Sequence, residues 1–177
     1  MQTRGATKRY VDTLIALLTR PGVFYATRFK QVTTFQSLVI LTISGIFFAV
    51  AGTLCRFDSA PLSVGLILFI NAIGMAVIGS AACYLALIAT ASRRYSFGLL
   101  FSIFSLSSSA VFLIAWVPSA FFLTEPWKWW LIGTGMVNGL GMSKTRAAVT
   151  ALLTFTAMVI LIYSLLPLAA RMPVQPA

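Results

Sequence analysis

Long apolar runs alternate with short basic or proline-bearing breaks along most of this sequence. The first run, Phe35 to Cys55, carries no charge over about 20 residues, the length one helical crossing of a bilayer needs. Arg56, Phe57, Asp58 and Pro61 break it. The second lies between Leu62 and Ala91, longer than a perpendicular crossing requires, so its helix tilts or projects. Arg93 and Arg94 close it. The third runs from about Phe97 to Phe122, with Pro118 expected to kink or end it, and Glu125 and Pro126 make the next turn. The fourth, Trp127 to Met142, is the shortest. A basic turn, Ser143-Lys144-Thr145-Arg146, leads to the fifth, Ala147 to Leu166, with Pro167 near its end. The tail from Arg171 to Ala177 contains two prolines and reads as extended.

The N-terminal part is patterned differently. Residues 1–9 are polar and basic and read as loosely ordered. From Tyr10, the apolar residues Val11, Leu14, Ile15 and Leu18 fall on one helical face, flanked by Lys8, Arg9 and Arg20. This predicts a short amphipathic helix. It can lie on the membrane surface, pack on the protein's own spans, or do both. Pro21-Gly22 ends it. The stretch Phe24 to Lys30 mixes aromatics with cations, as membrane interfaces do. The apolar run Leu14 to Leu18 is too short for a cleavable signal, and no small-residue cleavage site follows. The expected architecture is therefore all-α: a basic N-terminal segment (1–34), a five-span integral membrane bundle (35–170) and a short extended tail (171–177).

Composition agrees with lipid as the main solvent. Of 177 residues, 59% are hydrophobic and 9% charged, against about 25% charged in soluble domains. The net charge of +10 would suggest nucleic acid in a soluble protein. Here the cations sit at span ends, so topology explains them and no nucleic-acid partner is expected. With five spans, Arg4, Lys8, Arg9, Arg20, Arg28, Lys30, Arg93, Arg94, Lys144 and Arg146 share one face, leaving Arg56, Lys128 and Arg171 on the other. Cytoplasmic loops carry such an excess, which puts the N-terminus inside and the C-terminus outside. Four spans, with a re-entrant glycine-rich segment, fit the charges less well.

Catalytic chemistry has little to work with. There is no histidine, and Asp12, Asp58 and Glu125 lie in loops or at interfaces. No metal-ligand spacing involves Cys55 or Cys83, which read as small buried hydrophobes. No enzyme activity, metal or cofactor is expected, although an apolar-bound lipid, quinone or carotenoid would leave no mark in the sequence. The polar residues inside spans are Asn71, Asn138 and the serines 102, 105, 107, 108 and 109. They read mainly as interhelical glue, and otherwise as the lining of a transport path. Gly135 and Gly139 form a GxxxG, with Gly133 and Gly141 offset; Gly45 with Ala49, and Ala72, Ala76 and Ser80, repeat the spacing. Such ridges let helices approach closely. The string lacks the strand context of a nucleotide-binding loop. Trp127, Trp129 and Trp130 read as an interfacial anchor with Lys128 among them.

Several stretches resemble the Yip family of five-span membrane proteins, especially its short bacterial members. They are Leu17-Leu18-Thr19-Arg20-Pro21-Gly22-Val23-Phe24; Pro118 followed by the Trp-rich edge; and Gly141-Met142-Ser143-Lys144-Thr145-Arg146-Ala147 after a small-residue span. The resemblance implies a helical membrane protein with a cytosolic N-terminus that acts through lipids or protein partners. Only about 34 residues precede the first span, shorter than the cytosolic region with which eukaryotic members meet GTPases, so Rab binding does not carry over. The expected role is a non-enzymatic accessory or scaffold subunit, partnered by membrane lipids and by other membrane subunits or its own copies. A small transporter or channel lined by Asn71, Asn138 and the span-three serines is the alternative.

Overall fold

The computed structural model describes residues 3–56, 61–90 and 95–170. The expected turn around Asp58, the Arg93-Arg94 pair and the tail from Arg171 lie outside them. The described residues are helical, joined by short turns: α1 (Thr3–Thr19), α2 (Pro21–Thr27), α3 (Thr34–Arg56), α4 (Pro61–Thr90), α5 (Phe97–Phe112), α6 (Phe121–Leu140) and α7 (Lys144–Ala170). No strand occurs among them.

Among the described residues, three helices are long and apolar enough to cross a membrane: Thr34–Cys55 of α3, Pro61–Thr90 of α4 and Lys144–Ser164 of α7. They mark the protein as membrane-embedded. Their outward faces carry Leu62, Ile67, Leu85, Leu152 and Ile160 exposed, which water would penalise and lipid accommodates. The other two helices of the bundle depart from expectation. α5 stops at Phe112 rather than running to Phe122, and a turn and the 3-10 segment Pro118–Ala120 follow. Sixteen residues make it about 24 Å long. α6 starts at Phe121, so Glu125 and Pro126 lie inside a helix instead of forming a turn. Pro126 is the sixth residue of α6 and has no N–H to donate, so one backbone bond is missing from the second turn. Lys128 reaches back to Glu125 at 2.6 Å.

α5 is the axis of the bundle. Every residue from Leu100 to Val111 is buried. α3, α4, α6 and α1 all pack against it. Contacts fix the helix directions. Thr34 meets Gly98 and Phe48 stacks on Phe112, so α3 and α5 run parallel. Tyr84 meets Phe97 and Gly79 faces Phe104, so α4 runs opposite to α5. α4 and α7 are again antiparallel, with Gly79 near Met158 and Cys83 near Thr154.

The N-terminal segment is the main departure. Helix begins at Thr3, within the stretch read as loosely ordered. Its inward face is Tyr10, Leu14 and Leu17, while Val11 and Ile15 are exposed. The buried stripe is thus rotated from the one the apolar spacing picked out, and Tyr10 on it reaches Ser44 of α3 through a 2.9 Å hydroxyl contact. α2 then lies against α6. Phe24, Tyr25 and Phe29 are buried in the core rather than spread at an interface.

Candidate functional site

The predicted residues meet different fates, and two surfaces emerge. The glycine ridge of α6 faces inward. A side-chain carbon at Gly135 would lie 2.8 Å from Ile103 Cγ2 and 3.0 Å from the Tyr25 ring. One at Gly139 would lie 3.0 Å from the Phe29 ring. Tyr25 and Phe29 are four apart in sequence, as are Gly135 and Gly139, so the two aromatics fill the two notches. Gly133 has open space around it, and Gly141 adopts a left-handed turn (φ 68°) that ends α6. Gly45 and Ala49 are buried, and Gly45 receives Phe69 of α4.

The serines of α5 are also internal. Ser102 donates to the Gly98 carbonyl and Ser109 to the Ser105 carbonyl, each within its own helix. Ser107 shares a 2.9 Å hydrogen bond with the Tyr25 hydroxyl, which also approaches the Ile103 carbonyl. Burial of Tyr25 pushes its ionisation well above the ordinary tyrosine range, against a smaller opposing effect of the Ser107 bond. Asn138 and Asn71, by contrast, are both exposed, so they do not join these serines in a common lining. Asn138 turns its amide back to the Thr134 carbonyl.

Asn71 sits on the outer face of α4. This helix has two stripes. Ala72, Ala76, Gly79, Ser80, Cys83 and Leu87 face the bundle. Ile67, Asn71, Gly74 and Ile78 recur at helical spacing on the other side. Asn71, Ile67 and Ile78 are exposed, and nothing lies within 4 Å of a side-chain carbon placed at Gly74. The Asn71 side chain makes no hydrogen bond among the described residues. It stands about 15 Å along the helix from Pro61, in the middle of an apolar stretch. An amide there lacks the water that would satisfy it at a surface. Gly74 escaped the sequence reading because the small residues around it belong to the opposite stripe.

The Trp cluster divides. Trp129 packs edge-on against Phe104 (6.3 Å) and Phe155 (5.4 Å), and Trp127 is half-buried against the core. Trp130 is exposed.

The second surface is basic. Arg28 and Lys30 flank Phe29, the residue wedged on Gly139, and are both exposed. Past Gly141, Ser143 caps α7 by accepting from the Arg146 N–H, and Lys144 and Arg146 are exposed in the first helical turn. Cations are disfavoured there by the helix dipole, which favours acids at that end. Two basic stretches from distant parts of the chain therefore meet at one end of the bundle.

No family model, curated protein or solved structure matches this chain.

Proposed function

We propose that the protein is a non-enzymatic accessory or scaffold subunit of a membrane assembly, crossing the membrane five times with its N-terminus in the bacterial cytoplasm. The observation that carries the reading is Asn71 beside Gly74. An unpartnered amide in mid-helix, next to a notch with nothing in it, is the pairing by which membrane helices recognise one another. The small residue permits close approach and the amide supplies a hydrogen bond, worth about 0.6 kcal/mol on average. The partner helix belongs to another subunit or to a second copy of the chain. The glycine ridge of α6 is already filled by Tyr25 and Phe29, which moves the contact face to α4. The directions of α3, α4, α5 and α7, with α4 opposed to the other three, support the five passes, as does the resemblance to short Yip-family proteins.

Mild-detergent extraction followed by sizing and mass spectrometry tests this. The natural chain is expected to leave the membrane with a stoichiometric companion. Asn71→Leu with Gly74→Leu is expected to lose that companion while the chain itself stays folded. A lone natural chain, or an unchanged companion yield after the substitutions, would remove the basis for the proposal.

A further inference from the structure

We propose that the end of the bundle formed by the α2–α3 connection and the α6–α7 turn binds the headgroup of an anionic phospholipid. The site does not depend on the docking role of α4. It requires only that the long apolar helices sit in a bilayer.

Four exposed cations make the surface: Arg28 and Lys30 from one segment, Lys144 and Arg146 from the other. Their proximity is built by packing. The Phe29 ring is seated against Gly139, and just beyond it the left-handed Gly141 turns the chain into α7. Arg20, also exposed, precedes Gly22, which lies near the Asn138 amide at the same end of α6. The sequence has three acids in all. Glu125 is paired with Lys128 in the first half of α6, toward the opposite end. Asp12 is exposed on α1, and Asp58 follows α3 outside the described residues. The first turn of α7 has no acid. Among the described residues, no ion pair relieves these four cations. Held together, they repel one another and gain from an anion between them.

Lipid suits the surroundings better than a free anion. Phe35 at the start of α3 is 72% exposed, and Val23 and Val149 are exposed beside the same basic stretches. A phospholipid answers both features at once, with phosphate on the cations and acyl chain along the apolar flank. Clusters of this kind at the ends of membrane helices attract anionic lipid, each cation contributing additively.

The test uses the full chain in neutral detergent, with lipid adducts counted by native mass spectrometry and melting followed by tryptophan fluorescence. The probes are phosphatidylglycerol, phosphatidylcholine and inorganic phosphate. Phosphatidylglycerol is expected to bind roughly tenfold or more tightly than phosphatidylcholine, and to raise the melting temperature where phosphate alone does not. Replacing Arg28, Lys30, Lys144 and Arg146 together by Gln is expected to abolish that preference, and Lys128→Gln to leave it intact. Equal binding of the two lipids, or a preference that survives the fourfold substitution, overturns the proposal. Equal stabilisation by inorganic phosphate does so too, since it marks a general anion site. Should the fourfold variant fail to fold, salt decides on the natural chain. At about 1 M salt the Debye length falls to about 3 Å, so the preference is expected to collapse, and its persistence refutes a charge-based site.

Discussion

Tyr25 shows how much of this structure depends on single side chains. Its ring closes the notch at Gly135, and its hydroxyl meets Ser107 inside the bundle. Tyr25→Phe keeps the ring and strands the Ser107 hydroxyl, so a loss of about 1 kcal/mol is expected. A double-mutant cycle with Ser107→Ala, followed by thermal melting, should return a coupling of similar size. Gly135→Leu drives a branched side chain into Ile103 and the Tyr25 ring. Overpacking of this kind costs about 1–3 kcal/mol. Gly133→Ala enters open space and should leave melting unchanged or slightly raised, since alanine favours the helix over glycine. The contrast between two glycines so near in sequence is the useful readout. Proton linkage gives a further check. Burial raises the folded-state pKa of Tyr25 above its unfolded value. Folding then favours the neutral phenol, and the resulting stability is complete below the ordinary tyrosine pKa of about 10. It drains away as pH rises beyond that, and Tyr25→Phe should flatten this alkaline loss in a melting series.

Among the elements, α5 separates what the sequence disclosed from what it hid. α3, α4 and α7 were legible because a charge-free run of membrane length needs no tertiary information. The start of α4 at Pro61 and of α7 at Lys144 lies within a few residues of the pattern's edges. The end of α5 was not legible. Ile114, Ala115 and Val117 are as apolar as what precedes them, and only backbone geometry shows the chain turning there. The role of α1 and α2 was hidden for a related reason. Their basic residues drew attention to a surface, while Leu14, Leu17, Phe24, Tyr25 and Phe29 are the side chains that pack. The matched spacing of Tyr25 with Phe29 and of Gly135 with Gly139 was visible. Nothing in one sequence says that two such pairs meet. Deleting residues 1–31 should therefore uncover α5 and the ridge of α6. The expected result is aggregation on size exclusion rather than a well-behaved shortened bundle; a monodisperse product would show the segment to be dispensable.

For the molecule as a whole, the five-pass proposal makes a geometric claim that labelling can check. Single cysteines replacing Lys30 and Ser143 should react from one side of the membrane, and a cysteine replacing Ser119 from the other. Reaction of all three from one side would leave α5 and α6 as a re-entrant pair between three true crossings. The central position of α5 also has a consequence in time. A chain is made from its N-terminus, and α1, α3 and α4, which together cover most of α5, are all synthesised before it. When the serine-bearing helix leaves the ribosome, three of the four helices that pack against it have therefore already been made. α6 arrives next and sets Gly135 over the waiting Tyr25, and α7 follows on the outside against α4 and α6. The order of the letters is thus also an order of assembly, in which the helix carrying five serines need never stand alone in lipid.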